Sequence, residues 1–179
     1  MGVALLESQQ IDDRYQSFIN PGIIVPRFVT QLTGISTSDV RSAPAASQVL
    51  QELHMFLGGV PLVTHNVSFE QRFLDAEYLR VGLLRRQKII CTLRVAMRVY
   101  PNAPNHKLGT LDDCASVPQS GPFHHALDDA EVTAGLWLRM RQRLGQDYGM
   151  SLVSDQFMQQ IQSVPIKGGI ASLASRSAR

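Results

Sequence analysis

The chain has 179 residues, of which 44% are hydrophobic and 18% are charged, a balance typical of a folded globular protein rather than a disordered one. Its formal net charge of +2 is too small to require a nucleic-acid partner, although a local basic patch would permit one. No apolar run approaches the roughly 20 residues that a membrane span needs, and the N-terminus lacks the basic flank of a signal peptide. Cys91 and Cys114 form no CxxC motif, so we expect reduced thiols in a cytoplasmic protein.

The first part of the chain predicts a β-hairpin, a loop-rich segment and a helix. Residues 3–6 and 11–19 are predicted strands, and Asn20-Pro21-Gly22 ends the second strand because Pro cannot donate to a strand ladder. Residues 23–44 are predicted to be loops. The helix that follows has an apolar face made of Val49, Leu50, Leu53, Phe56 and Leu57.

From residue 60 onward, short apolar strands alternate with helices. A buried strand is predicted at residues 60–64, and the next helix, capped by Asn66 or Ser68, carries Phe69, Phe73, Ala76 and Leu79 at helical spacing. The further predicted elements are a strand at 88–91, helices at 92–100 and 108–114, and a long helix at 126–144 that Gly145 ends. This order predicts a mixed α/β fold with a hairpin edge rather than a doubly wound parallel sheet.

The pattern weakens after Gly145. A further helix is predicted at residues 154–161, and the tail from residue 167 is rich in Ser, Ala and Gly and carries only basic charges, so we expect it to be disordered. The sequence therefore predicts one folded domain over residues 1–145 and a partly disordered C-terminal extension over residues 146–179.

Acidic and imidazole side chains cluster at the start of the long helix. Asp128 and Asp129 fall in its first turn, and His124 lies just before it. A carboxylate here can bind Mg²⁺ or Mn²⁺, and a neutral imidazole can take a proton from water. Alternatively, the two aspartates only complement the positive end of the helix dipole. The residues alone leave both interpretations open.

A second polar cluster follows the strand at residues 60–64. His65 and Asn66 lie at the end of this strand, and Glu70 falls in the first turn of the next helix. Polar groups at the carboxyl end of a strand are where α/β sheets place their chemistry. An N-terminal cap and a helix-start glutamate would explain the same residues without any catalysis.

Five blocks of the sequence, in this order, resemble the DnaQ-like, or DEDDh, family of 3′–5′ exonucleases, which includes polymerase proofreading subunits. The resemblance covers roughly residues 1–140. The blocks are Phe18-Ile19-Asn20-Pro21-Gly22, Leu32-Thr33-Gly34-Ile35, His65-Asn66-Val67-Ser68-Phe69-Glu70, Asn105-His106-Lys107-Leu108 and His124-His125-Ala126-Leu127-Asp128-Asp129-Ala130.

The resemblance implies a ribonuclease H-like sheet flanked by helices. It also implies hydrolysis of nucleotides from the 3′ end of DNA or RNA, in proofreading or repair, with a pair of Mg²⁺ or Mn²⁺ ions. The implied partners are single-stranded or 3′-end DNA, with RNA as an alternative, and a DNA polymerase.

The resemblance also assigns roles to individual residues. His124 would be the general base, Asp129 a catalytic metal ligand, and Glu70 the catalytic and metal-binding acid of the second block. The implied substrate-binding residues are Thr33, Gly34, Ile35, His65 and Asn66. The family has Asp where this chain has Glu70, and the longer side chain would displace the carboxylate by roughly 1 Å, which can cost on the order of 100-fold in rate.

The first block of the family is expected to be missing. This block is an Asp-x-Glu at the end of a central strand, some tens of residues before Val3. Its loss would leave the exonuclease-like domain over residues 1–145 incomplete, the two-metal site short of ligands, and two strand edges exposed. Three hypotheses follow: an enzyme whose true start lies upstream, a catalytically silent module that binds nucleic acid or a polymerase, or a fragment that does not fold alone.

Overall fold

The computed structural model describes residues 1–7, 9–115 and 125–177. Contacts within the chain divide it into two units. The first unit comprises Met1–Val60, Phe73–Arg86 and Ser120–Glu131, and the second comprises Pro61–Arg72, Gln87–Gln119 and Val132–Arg179.

The first unit begins with the predicted hairpin. Strands β1 (Gly2–Glu7) and β2 (Gln10–Gln16) pair in antiparallel orientation, with Val3 opposite Tyr15. The Tyr15 hydroxyl donates a hydrogen bond to the carbonyl oxygen of Val49 at 3.2 Å, which attaches the hairpin to the following helical segment. The hairpin prediction is confirmed, although β2 ends at residue 16 and not at residue 19.

Three helices follow in the first unit: α1 (Arg27–Thr33), α2 (Thr37–Val40) and α3 (Ala46–Leu57). The prediction of loops over residues 23–44 is wrong for α1 and α2, which are too short to show helical periodicity. α2 is set by local capping instead, since the Asp39 carboxylate accepts from the backbone N–H of Ser36 at 2.7 Å. α3 has the predicted inward face, which buries Val49, Leu50, Leu53 and Leu57.

The second unit contains strands β3 (Leu62–Thr64) and β4 (Ile89–Cys91), which are parallel. Within the described residues, the four strands therefore form two separate two-stranded sheets, one antiparallel and one parallel. This mixture, flanked by helices, confirms the predicted mixed α/β class. The absence of a first central strand stays a prediction. The remaining helices are α4 (Val67–Arg80), α5 (Thr92–Val99), α6 (Leu108–Ala115), α7 (Ala126–Tyr148), α8 (Asp155–Ile161) and α9 (Gly169–Ser177).

The core of the second unit is centred on α7. The α7 side chains of Leu136, Trp137, Met140 and Leu144 are almost completely buried. α5, α6 and α8 contribute further fully buried residues: Val95, Ala96, Leu111, Met158 and Ile161. No helix in the part of the chain that the structure describes is long and apolar enough to cross a membrane.

Two helices contribute to both units and differ from their predictions. α4 exposes Phe73 and Leu79, at 52% and 68%, and buries Tyr78 completely, so its predicted apolar face is wrong. α7 continues through Gly145 and ends at Tyr148, and the next residue, Gly149, has a φ of 64°, the left-handed conformation that terminates helices.

The C-terminal extension is helical where the sequence predicted disorder. α9 buries Ile170, Leu173 and Ala174, which recur at helical spacing within a segment of small residues. A Cβ on Gly169 would lie 2.9 Å from the Cβ of Val164, so the helix begins in close contact with the turn after α8. This packing stabilises a helix in spite of the Ser-, Ala- and Gly-rich composition of the segment. The prediction of disorder is therefore wrong over residues 169–177. The domain boundary at residue 145 stays a prediction.

Candidate functional site

The segment after β3 makes a tight left-handed turn into α4. Asn66 has a φ of 61°, and α4 begins at the next residue, Val67. Asparagine tolerates this conformation better than most residues, because its short polar side chain can form hydrogen bonds to the local backbone. Asn66 therefore serves as the turn residue rather than the helix cap that the sequence suggested, since a cap residue has extended backbone angles.

His65 is held by two hydrogen bonds within the second unit. Its Nδ1 lies 2.9 Å from the Thr92 hydroxyl, and its Nε2 lies 3.0 Å from the carbonyl oxygen of His106. A carbonyl oxygen only accepts, so Nε2 carries a proton, and in the neutral ring Nδ1 accepts from the Thr92 hydroxyl, which also lies 3.4 Å from the Thr64 carbonyl oxygen. Burial lowers the pKa of His65, which favours the same neutral form. Both ring nitrogens are engaged, so the imidazole joins the ends of β3 and β4 to the segment before α6.

Glu70 lies in the first turn of α4, as the sequence predicted. The residue as a whole is exposed, yet partial burial of its carboxyl group raises the pKa of Glu70, and a hydrogen bond from its own backbone N–H opposes this shift. A cation bound beside this group would offset the desolvation and favour the ionised carboxylate.

The other acidic cluster lies at the start of α7, in the first unit. Asp128 and Asp129 are in the first helical turn and half-buried, and the backbone N–H of Asp129 donates to the carbonyl oxygen of His125 at 2.9 Å. His125 is exposed, with its Nδ1 3.9 Å from a carboxylate oxygen of Asp128. Acidic side chains at this position complement the positive end of the helix dipole. His124 lies outside the described residues.

The start of α7 is in direct contact with the hairpin. A Cβ built on Gly2 would overlap the backbone of Ala126 and Leu127, so only glycine fits at this position of β1. On the next turn of α7, Glu131 forms an ion pair with Arg14 of β2. The hairpin and the acidic helix start are therefore packed as one piece.

The predicted substrate-binding residues Thr33, Gly34 and Ile35 lie in an ordered turn. Gly34 caps the C-terminus of α1 at a φ of 73° and donates its N–H to the Thr30 carbonyl at 2.8 Å. The Thr33 hydroxyl donates to the Val29 carbonyl at 2.8 Å and accepts from the Ile35 N–H at 3.2 Å. Nothing lies within 4 Å of a Cβ built on Gly34, so this turn presents an open backbone.

The donor chemistry of these clusters suits a hard divalent cation. Carboxylate oxygens such as those of Glu70, Asp128 and Asp129 are the ligands that Mg²⁺ and Mn²⁺ prefer. Among the described residues, however, no group of three or more His, Cys, Asp and Glu side chains is positioned to hold a metal ion. The described acids fit such a cation in the type of ligand that they offer.

Sequence reasoning did not identify Thr92 and His106 as parts of this region. Thr92 is fully buried and anchors the His65 ring, and the backbone carbonyl of His106 is its other anchor. The only available signal was the block at residues 105–108, which was recognised without a role for His106.

The chain matches a protein-family model described as Exonuclease, the RNase_T model, over residues 2–137. A DNA polymerase III PolC-type from Caldanaerobacter subterraneus subsp. tengcongensis is 32% identical over 155 residues, which cover 87% of this chain and 11% of that protein. The 3′-5′ exonuclease DinG of Bacillus subtilis is 31% identical over 147 residues, which cover 82% of this chain and 16% of that protein. The chain thus spans only a small part of the length of these curated relatives.

Two solved structures share the fold. The structure of Exonuclease X in complex with 5′ overhanging duplex DNA superposes with a TM-score of 0.67 at 19% identity, covering 89% of this chain and 87% of that one. The nuclease domain of 3′hExo, a DEDDh family member bound to rAMP, gives a TM-score of 0.68 at 22% identity, covering 85% and 82%. These similarities confirm the ribonuclease H-like fold that the sequence predicted.

Proposed function

Because the chain belongs to the RNase_T exonuclease family, we propose that it removes nucleotides from the 3′ end of a DNA strand by metal-dependent hydrolysis. The observation that carries the proposal is the placement of two acidic clusters, each in the first turn of a helix, inside the matched range of residues 2–137. Glu70 follows a parallel strand, and Asp129 begins the longest helix.

DNA is the proposed substrate because relatives at 31–32% identity include DNA polymerases. The PolC-type proteins are DNA polymerases, and Exonuclease X was solved with DNA. RNA is the alternative, supported by the 3′-exonuclease structure that recognises a histone mRNA stem-loop. The PolC-type similarity also supports a DNA polymerase as partner, in proofreading or repair. A cytoplasmic location is consistent with the two free cysteines, Cys91 and Cys114.

We assign the chemistry to three residues. Asp129 and Glu70 would hold Mg²⁺ or Mn²⁺ through their carboxylate oxygens, and His124 would accept the proton of the attacking water. Bound ions of this kind supply positive charge against the phosphate and its leaving oxygen. The open turn at Thr33, Gly34 and Ile35 would contact the terminal nucleotide, and the segment at His65 and Asn66 would border it.

The test is degradation of a 3′-labelled single-stranded DNA by the purified chain with Mn²⁺ or Mg²⁺. Asp129→Ala should lower the rate by at least about 100-fold, since it removes a metal ligand. Asp155→Ala is the matched control, because Asp155 also lies in the first turn of a helix and has no proposed catalytic role. Equal rates for Asp129→Ala and the unchanged chain would contradict the proposal.

A catalytically silent binding module is the second candidate. It is favoured by Glu70 at the position where the family has Asp, and by the lack of a three-ligand cluster among the described residues. Glu70→Asp discriminates between the two. Restoring the shorter side chain should raise the rate, by up to about 100-fold, if misplacement of the carboxylate limits it. A folded chain that binds DNA and shows no degradation in either form supports the silent module.

A further inference from the structure

A groove of about 640 Å³ lies between α8 and α9, entirely within the second unit. It lies outside residues 2–137, so the family match does not account for it. Its walls come from the last turn of α8, the turn that follows, and one face of α9. The lining residues are Gln159, Gln160, Ser163, Val164, Leu173 and Arg176.

The lining of this groove is rich in hydrogen-bond donors and contains no carboxylate. The side-chain amides of Gln159 and Gln160 and the Ser163 hydroxyl can all donate. Arg176 uses one N–H on the Ser172 hydroxyl, at 2.8 Å, and a guanidinium has five N–H donors in all. Such a lining suits a ligand that offers several oxygen acceptors.

Two further arginines bring positive charge to the same place. The Arg98 Nε donates to the carbonyl oxygen of Val164 at 2.6 Å, so this guanidinium lies at the wall of the groove. Arg94 is one helical turn away on α5, and its carbonyl oxygen accepts from Arg98 at 2.8 Å. Burial and the nearby charge of Arg94 lower the pKa of Arg98, so the two cations lie close enough to repel each other.

No acid in the described part of the chain compensates for these charges by an ion pair. Arg94, Arg98 and Arg176 form none, in contrast to Arg141, which pairs with Asp155 near the opposite end of α8 at 3.4 Å. Clustered cations without carboxylate partners mark a surface that an anion would stabilise.

We propose that the α8–α9 groove, with Arg94 and Arg98 beside it, binds the phosphate groups of a nucleic-acid strand. Guanidinium groups match the geometry of phosphate oxygens, and amide and hydroxyl donors complete the contacts. The groove is open to solvent between two helices, which leaves it accessible to a strand. This site goes beyond the proposed exonuclease reaction and does not depend on it.

The first experiment locates the site by NMR titration of the full chain in EDTA, where hydrolysis is switched off. Oligothymidylate should shift the side-chain amides of Gln159 and Gln160 and the backbone amide of Ser163 at micromolar concentration. Inorganic phosphate should shift the same signals only at much higher concentration. Saturation by phosphate as readily as by the strand would identify a small-anion site and overturn the strand assignment. An absence of shifts with either probe would overturn the site itself.

The second experiment measures the salt dependence of binding to oligothymidylate, again in EDTA. The double variant Arg94→Gln/Arg176→Gln should reduce the slope of log K against log salt by about 1.4, since each phosphate contact on a single strand contributes about 0.7. The control is Arg80→Gln, which removes an exposed charge that forms an ion pair with Glu77.

An unchanged slope in the double variant would overturn the proposal, whatever the chain does as a nuclease. A reduced slope in a chain without exonuclease activity would support the groove while the proposed function fails. The two outcomes are therefore separable.

Discussion

The imidazole of His65 connects segments that are remote in sequence. Its hydrogen-bond partners, Thr92 and His106, are 27 and 41 residues away, and the bond to the His106 carbonyl places a proton on Nε2. The same residue precedes the left-handed turn at Asn66 and, one helical turn later, Glu70. The position of Glu70 thus depends on a histidine that does not itself need to touch substrate.

We expect His65→Ala to destabilise the chain by about 2–4 kcal/mol, because it removes the partner of the His106 carbonyl and leaves the buried Thr92 hydroxyl with a long, 3.4 Å bond to the Thr64 carbonyl. Urea unfolding followed by circular dichroism measures this change. His125→Ala is the control, since His125 is exposed and should change stability by less than about 0.5 kcal/mol. Similar losses for both variants would contradict the structural role of His65.

The same variant should alter the pH dependence of stability. Burial lowers the pKa of His65 from its usual 6.5, so the unfolded chain binds the proton more readily than the folded chain. Stability from this residue is therefore full above 6.5 and is lost as the pH falls below it. Comparing unfolding at pH 7.5 and pH 5.5 should show a smaller loss in His65→Ala than in the unchanged chain.

Local chemistry explains why some of these residues could be predicted and others could not. Glu70 and Asp129 were placed correctly in the first turns of helices, because apolar periodicity and helix-start acids are signals within a few residues. Thr92 and the carbonyl of His106 were not found, because their contact with His65 forms only when the chain folds. No spacing rule relates residues 27 and 41 positions apart.

At the scale of elements, the extension beyond α7 shows how packing can override composition. α9 lies in a segment of small and basic residues, yet Ile170, Leu173 and Ala174 form one buried face. Three inward residues at helical spacing are enough to dock a helix that would not be stable alone.

Leu173→Ala should destabilise the chain by about 2–4 kcal/mol and increase amide hydrogen exchange throughout α9, because it opens a cavity under the helix. Ser175→Ala, on the exposed face of the same helix, serves as the control. Rapid exchange of α9 amides in the unchanged chain would instead restore the prediction of a disordered tail.

The periodicity of apolar residues predicts some of these elements and not others. The hairpin and α3 were predicted because strands alternate and helices repeat over enough residues to be read. The sequence does not predict α1 and α2, because each has only one or two turns. Pro26 precedes α1, and the Ser36–Asp39 hydrogen bond caps α2. α4 was found, but its buried face was assigned to Phe73 and Leu79 and not to Tyr78.

At the scale of the whole molecule, α4 and α7 each supply residues to both units. Helix formation is cooperative, so unfolding one half of α4 or α7 would weaken the hydrogen bonds of the other half. The two units should therefore unfold together. A cooperative transition would argue against the hypothesis of a fragment that does not fold alone.

We expect a single thermal transition with coincident midpoints by two probes. Far-ultraviolet circular dichroism reports helices from both units, and the fluorescence of the buried Trp137 reports the second unit alone. Separate midpoints would show independent unfolding of the units. A sloping signal without a transition would support the fragment hypothesis.

The division into units could not be derived from the sequence. Each unit is assembled from three separated stretches of chain, and such an arrangement is defined only by contacts between residues distant in sequence. The family, in contrast, was recognised from short motifs and is confirmed by the match over residues 2–137.

The contact between Gly2 and the start of α7 has a practical consequence for genetics. The helix that carries Asp129 rests against a strand residue that has no side chain, and any larger residue there would push the helix start outward. A screen for loss of the proposed exonuclease activity would then report position 2 alongside the acids, although glycine has no reactive group. Mutations that impair the protein would therefore fall at residues that position the acids as well as at the acids themselves.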